Sequence, residues 1–140
     1  MHAFRKAVEE RDEKAIQAML ADTVVFTSPV AFKPYVGKPI TAAILRGVLR
    51  IFEDFRYIRE IHDPSGRDHA FVFETGIAGA PGVKITGCDF LHFDDDGLID
   101  DFMVMVRPLS GATALSEAMG AQFDRIQHEA LELADQTGTA

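Results

Sequence analysis

The sequence predicts an α+β fold in which a curved antiparallel sheet wraps around helices to form a cone with an internal pocket, in the order ααβαββββα. Three observations lead to this fold class. Apolar residues recur at helical spacing near the N-terminus, between residues 38 and 52, and again after Pro108. Residues 55–107 instead form segments of strand-type composition, divided by the turn-forming clusters "DPSGR", "AGAPG" and "DDDG". Each helix has one apolar stripe to bury, and one face of a common sheet can receive all of them.

Taken in order, "FRKAVEER" and "DEKAIQAML" place Phe4, Val8, Ala15, Ile16, Met19 and Leu20 at helical spacing, with Asp12 as N-cap of the second segment. "TVVFTS" is β-branched and aromatic, which predicts a strand that ends at Ser28. The stretch "TSPVAFKPYVG" follows, and its prolines predict a preset loop that is neither strand nor helix. "PITAAILRGVLRIF" carries Pro39 in its first turn and Ile40, Ile44, Val48 and Phe52 on one stripe, the pattern of a third helix. Four strands should then form a meander: "FRYIREIH", "HAFVFETGI", "VKITGCDFLHF" and "LIDDFMVMVR". Pro108 ends the last of them, and Leu115, Met119, Phe123, Ile126, Ala130 and Leu133 predict one long C-terminal helix. Met103, Met105 and Met119 are expected in the core.

A chain of 140 residues with 47% hydrophobic content supports one domain, here residues 1–135, with 136–140 as a disordered tail. Cys88 is the sole cysteine, which excludes an internal disulfide and fits a reducing compartment; with no basic-then-apolar leader after Met1, a cytoplasmic location is expected. No apolar run approaches the ~20 residues that cross a bilayer, so no membrane partner is expected. The formal charge of −8 argues against nucleic acid. "GAPG" lacks the strand-to-helix context of a phosphate cradle, so no cofactor is expected. No metal is expected either. His62 and His69 meet across a hairpin without a third ligand, and "DDDG" lacks the glutamate of a calcium loop.

Asp89 is the most unusual residue, a carboxylate inside the apolar strand "ITGCDFLHF", where burial would raise its pKa. By period-two alternation Cys88, Phe90 and His92 face the other way. That convex face would expose Phe90, and no helix remains to cover it, so a homodimer through this face is expected. The loop's Ser28, Phe32 and Tyr35 are expected at the pocket entrance, with Ser28 either closing the turn or lining the mouth. His62 and Glu74 are candidates for a second polar group, and alternation leaves open which face of its strand carries Glu74.

The element order, with "DTVVFTSPVAFKPYVGKP" and "GCDFLHFDDDGLIDDFMVMVRPL", resembles the nuclear transport factor 2-like superfamily, whose members include ketosteroid isomerases and SnoaL-like polyketide cyclases. The resemblance implies the cystatin-like cone and a pocket lined by Phe4 and Val104 as well as by the residues above. It also implies that Asp89 matches the oxyanion-stabilising aspartic acid of the isomerases, a carboxylic acid kept neutral to donate a hydrogen bond. Two of the isomerases' catalytic groups have no counterpart: Ser28 stands where their proton-shuttling aspartate precedes the proline, and Phe4 where their helix-borne tyrosine lies. The middle of "FMVMV", around Val104, also lacks the acid that epoxide hydrolases of the superfamily require.

Three functions remain open on these residues. The chain is expected to bind a small hydrophobic or amphipathic molecule, with Asp89 as its polar anchor. Alternatively it is an isomerase- or cyclase-like enzyme, not a standard ketosteroid isomerase, with Asp89 as acid, base or donor. As an accessory or assembly domain, it would leave the pocket filled by side chains.

Overall fold

The computed structural model describes residues 2–136. Helices α1 (Ala3–Glu9) and α2 (Glu13–Ala18) open the chain. His2 caps α1 by accepting the Phe4 N–H at Nδ1 (3.1 Å), and Asp12 caps α2 by accepting the Ala15 N–H (3.1 Å). Strand β1 (Leu20–Thr27) follows, then the proline loop, β2 (Tyr35–Val36) and α3 (Lys38–Ile51). Strands β3 (Phe52–His62), β4 (Asp68–Ile77), β5 (Lys84–Phe93) and β6 (Ile99–Arg107) precede α4 (Leu109–Gly120) and α5 (Phe123–Gln136).

The six strands form one sheet in the order β2-β1-β6-β5-β4-β3. The β3 to β6 meander is antiparallel as expected, but β1 joins β6 in parallel. α3 and the whole meander separate β1 from β6 in sequence, so no hairpin constrains that pair to run antiparallel. Alternation holds on the inner face: Phe71, Phe73, Ile77, Ile85, Leu91 and Phe102 are buried against Phe4 of α1, Ala43 and Ile44 of α3, and Ile126 of α5.

Three local expectations are corrected. The loop does contain a strand, because Tyr35 and Val36 lie just beyond Pro34 and pair with Phe26 and Val25 without needing its missing N–H. The C-terminal helix is two helices. A straight helix over 109–136 would extend about 42 Å. Instead the break near Gly120 lets α4 pack on the sheet and α5 on α3, and Gln122 there donates to the Gly47 carbonyl (3.0 Å). Met103 and Met105 lie on the outer face, Met105 exposed, whereas Met119 packs against the core. Of the expected tail, Gln136 belongs to α5, and 137–140 lie outside the described residues.

Candidate functional site

The sheet's inner face and helices α1, α3 and α4 enclose a cavity of about 70 Å³. Its wall is almost entirely apolar: Phe4 and Val8 from α1, Leu45, Val48 and Leu49 from α3, Leu115 and Met119 from α4, and Phe55, Phe73, Phe102 and Val104 from the sheet. Three polar side chains reach it, those of Ser28, Tyr57 and Asp89.

Asp89 is 7% exposed, because β5 runs in mid-sheet and pairs it with Phe71 on one side and Val104 on the other. Gly87, two residues earlier on the same face, leaves room for the Phe73 ring; a Cβ there would sit 2.2 Å from Phe73 Cζ. The Tyr57 hydroxyl donates to Asp89 Oδ2 at 2.6 Å, and its ring packs against those of Phe71 and Phe73 at 5.7 and 6.2 Å. Among the described residues Asp89 Oδ1 has no hydrogen-bond partner.

Burial drives the Asp89 carboxyl up to about 7, and the hydrogen bond from Tyr57 offsets part of that rise. Burial also pushes the Tyr57 hydroxyl well above its ordinary range, with the Asp89 charge adding to the effect. The pair therefore holds its phenolic proton, while the carboxyl exchanges its own near neutral pH. Asp89 can donate a hydrogen bond into the cavity when protonated and accept one when ionised.

The site residues read from the sequence divide into two groups. Phe4, Ser28, Val104 and Asp89 do line the cavity, and Ser28 also closes its turn by accepting the Val30 N–H at 3.1 Å. Phe32 is 99% exposed, because the chain turns outward after Val30. Tyr35 is directed by its strand pairing toward Phe123 of α5, with ring centroids 6.3 Å apart. Glu74 falls on the outer face, where it pairs with Arg56 at 2.9 Å.

His62 lies at the far end of β3. Its Nδ1 approaches that of His69 at 2.6 Å, and its ring stacks on His2 at 5.7 Å. The hairpin contact between His62 and His69 is thus present, with His2 beside it, yet among the described residues no three His, Cys, Asp or Glu side chains are arranged to hold a metal ion. Tyr57 is the residue that sequence reasoning missed. The sequence shows only a tyrosine inside the strand pattern "FRYIREIH"; its meeting with Asp89 depends on the strand pairing.

The model of the SnoaL-like domain matches residues 1–102. A steroid Δ-isomerase from Pseudomonas aeruginosa is 38% identical, with 89% of each chain covered and a TM-score of 0.80. An uncharacterised bacterial protein with a cystatin-like fold from Silicibacter pomeroyi is 33% identical over 86% of this chain and 82% of that one, with a TM-score of 0.79. An LEH-like epoxide hydrolase from M. tuberculosis shares the fold at 22% identity, over 88% of this chain and 91% of that one, with a TM-score of 0.61. Among curated proteins, none matches the chain significantly. No described helix is long and apolar enough to cross a membrane. The curved sheet, the helices that close it and the match over residues 1–102 agree: the chain belongs to the SnoaL-like domain family and has its cystatin-like, nuclear transport factor 2-like fold.

Proposed function

We propose that the cavity binds a small, largely apolar molecule bearing one oxygen atom, and that Asp89 meets that oxygen while Tyr57 holds Asp89. The observation that carries this reading is the 2.6 Å Tyr57–Asp89 hydrogen bond inside an otherwise apolar wall. A lone polar pair in such a wall orients a ligand by one contact and leaves the remaining affinity to apolar burial. The cavity's 70 Å³ lies below the ~300–1,000 Å³ of pockets that hold drug-sized ligands. A steroid would enter only with movement of wall side chains such as Leu45, Val48 or Met119.

Ligand-observed NMR with decalone and decalin, matched in shape and differing by one carbonyl, tests the reading. The ketone should bind more tightly than the hydrocarbon, and Val104→Trp, which fills the cavity, should abolish both signals. Equal binding of the two probes would remove Asp89 as anchor, and no binding of either would remove the ligand site.

A second reading is favoured by the Asp89 carboxyl lying at about 7, the range in which one group both takes and returns a proton near neutral pH. Under it the chain is an isomerase- or cyclase-type enzyme with Asp89 as proton carrier and Tyr57 as its support. The relative named steroid Δ-isomerase makes this class the natural one to assay. Turnover of a β,γ-unsaturated ketone, lost in Asp89→Asn, would select it over plain binding.

We also infer a homodimer through the outer sheet face. One cross-strand row there, Ile61, Ala70, Phe90 and Met103, is apolar, and the next contains Val72, Cys88 and Met105. Arg59 stands at the end of that second row, Arg56, Glu74 and Arg107 share the row beyond it, and Asp68, His92 and Asp101 lie on the other side. A two-fold axis running across the strands would set the basic side of one copy against the acidic side of its partner and bury the apolar rows between them.

A further inference from the structure

We propose that Arg5 and Glu9 are positioning residues for the cavity's polar pair: from adjacent turns of α1 they hold the main chain of Tyr57 and so set the approach of its hydroxyl to Asp89. This inference rests on the reading of Asp89 and Tyr57 as the cavity's anchor.

Strand β3 is the edge of the sheet, and its pairing with β4 slips between Tyr57 and Arg59. A strand edge beside such an irregularity leaves main-chain groups without ladder partners. At Tyr57 those groups are taken by α1. The Tyr57 N–H donates to Glu9 Oε2 (3.4 Å), and its carbonyl accepts from Arg5 Nη2 (3.3 Å). Arg5 also donates through Nε to Glu9 Oε1 (3.2 Å) and through Nη1 to Glu60 Oε2 (2.7 Å), farther along β3. The guanidinium thus ties both carboxylates and the Tyr57 carbonyl into one fork, a geometry that lysine cannot reproduce.

The neighbouring residues of the same helix, Phe4 and Val8, are part of the cavity wall. Two adjacent stripes of one short helix therefore serve the two halves of the site: Phe4 and Val8 shape the apolar wall, and Arg5 and Glu9 aim the phenol. Within the cavity Asp89 faces Tyr57 as its one titratable neighbour among the described residues. Beyond it, Glu9 and Arg5 are the charged groups that act on the phenol.

Carbon-13 NMR titration of the aspartate carboxyl carbons tests the proposal, with Asp89 assigned from its absence in Asp89→Asn. Tyr57→Phe should raise the affinity of Asp89 for its proton by about tenfold, the size of a lost hydrogen bond to a charged group. Arg5→Gln should raise it by about threefold in the wild-type background and leave it unchanged in Tyr57→Phe. Arg5→Lys should behave like Arg5→Gln rather than rescue it. An unchanged midpoint in folded Arg5→Gln would overturn the proposal, as would an equal shift in both backgrounds, which would show that the arginine acts on Asp89 by charge alone. Should Arg5→Gln fail to fold, Glu9→Ala removes the acceptor of the Tyr57 N–H and is read in the same two backgrounds. The titration uses no ligand, so a failure here leaves the binding reading standing, and absence of ketone binding leaves this result intact.

Discussion

Asp89→Asn should stabilise the protein at neutral and alkaline pH and be nearly neutral in acid. In the folded chain the carboxyl lies at about 7 because the charged form is desolvated, whereas in the unfolded chain it returns to 3.8. Between those values the folded state binds more protons than the unfolded state, so wild-type stability falls as pH rises from about 4 to about 7 and levels off above. At about 1.4 kcal/mol for each tenfold change in proton affinity, the loss comes to roughly 4–5 kcal/mol. Asparagine carries no charge to desolvate, matches the carboxyl's shape and still accepts from the Tyr57 hydroxyl. Urea denaturation of both proteins at a series of pH values gives the difference directly. The two should agree within about 1 kcal/mol near pH 4, diverge through pH 5 to 7, and remain apart by up to ~4–5 kcal/mol at pH 8. A difference independent of pH, or a variant less stable than wild type above pH 7, would refute the reasoning, since either result means the ionised carboxylate is well solvated or paired.

Gly87→Ala should cost about 1–3 kcal/mol in urea denaturation, because its Cβ would fall 2.2 Å from Phe73 Cζ and the ring is hemmed in by Tyr57, Phe55 and Phe52. Phe90→Glu should shift sedimentation at micromolar concentration from dimer to monomer, since Phe90 is 37% exposed at the centre of the outer apolar row; a monomeric wild type would end the dimer argument. The wild type should show no detectable isomerisation of a β,γ-unsaturated ketosteroid. Ser28→Asp combined with Phe4→Tyr, both at the cavity wall, should bring activity in once the wall moves to admit the steroid, by restoring a base worth ~10²–10⁴-fold. A double variant that binds steroid without turnover would mean that position 28 does not aim at the reacting carbon.

Much of the fold follows from local periodicity. The helical stripe of α3, the alternation of β5 and the turn clusters between strands each depend on residues within a few positions of one another, and such patterns survive without knowledge of the neighbours. Asp89 was legible for the same reason, as a carboxylate in phase with buried apolar residues of its own strand. So was the outward direction of Phe90. The aromatic loop misled because exposure depends on where the chain turns after Val30, and Phe32, equally aromatic on paper, ends in solvent. The division between α4 and α5 depends on what each must cover, which no single stripe reveals.

The partner of Asp89 belongs to this second kind of information. Tyr57 is 32 residues away in sequence, and its hydroxyl reaches Oδ2 only through the β3–β4–β5 pairing, the slip after residue 57 and the grip of Arg5 and Glu9. The sequence by itself determined that a cone would form with a buried acid facing inward. Tertiary structure alone decided which hydroxyl meets that acid and how large a space remains before it. A one-residue change of register would turn the phenol to the opposite face without altering any local pattern.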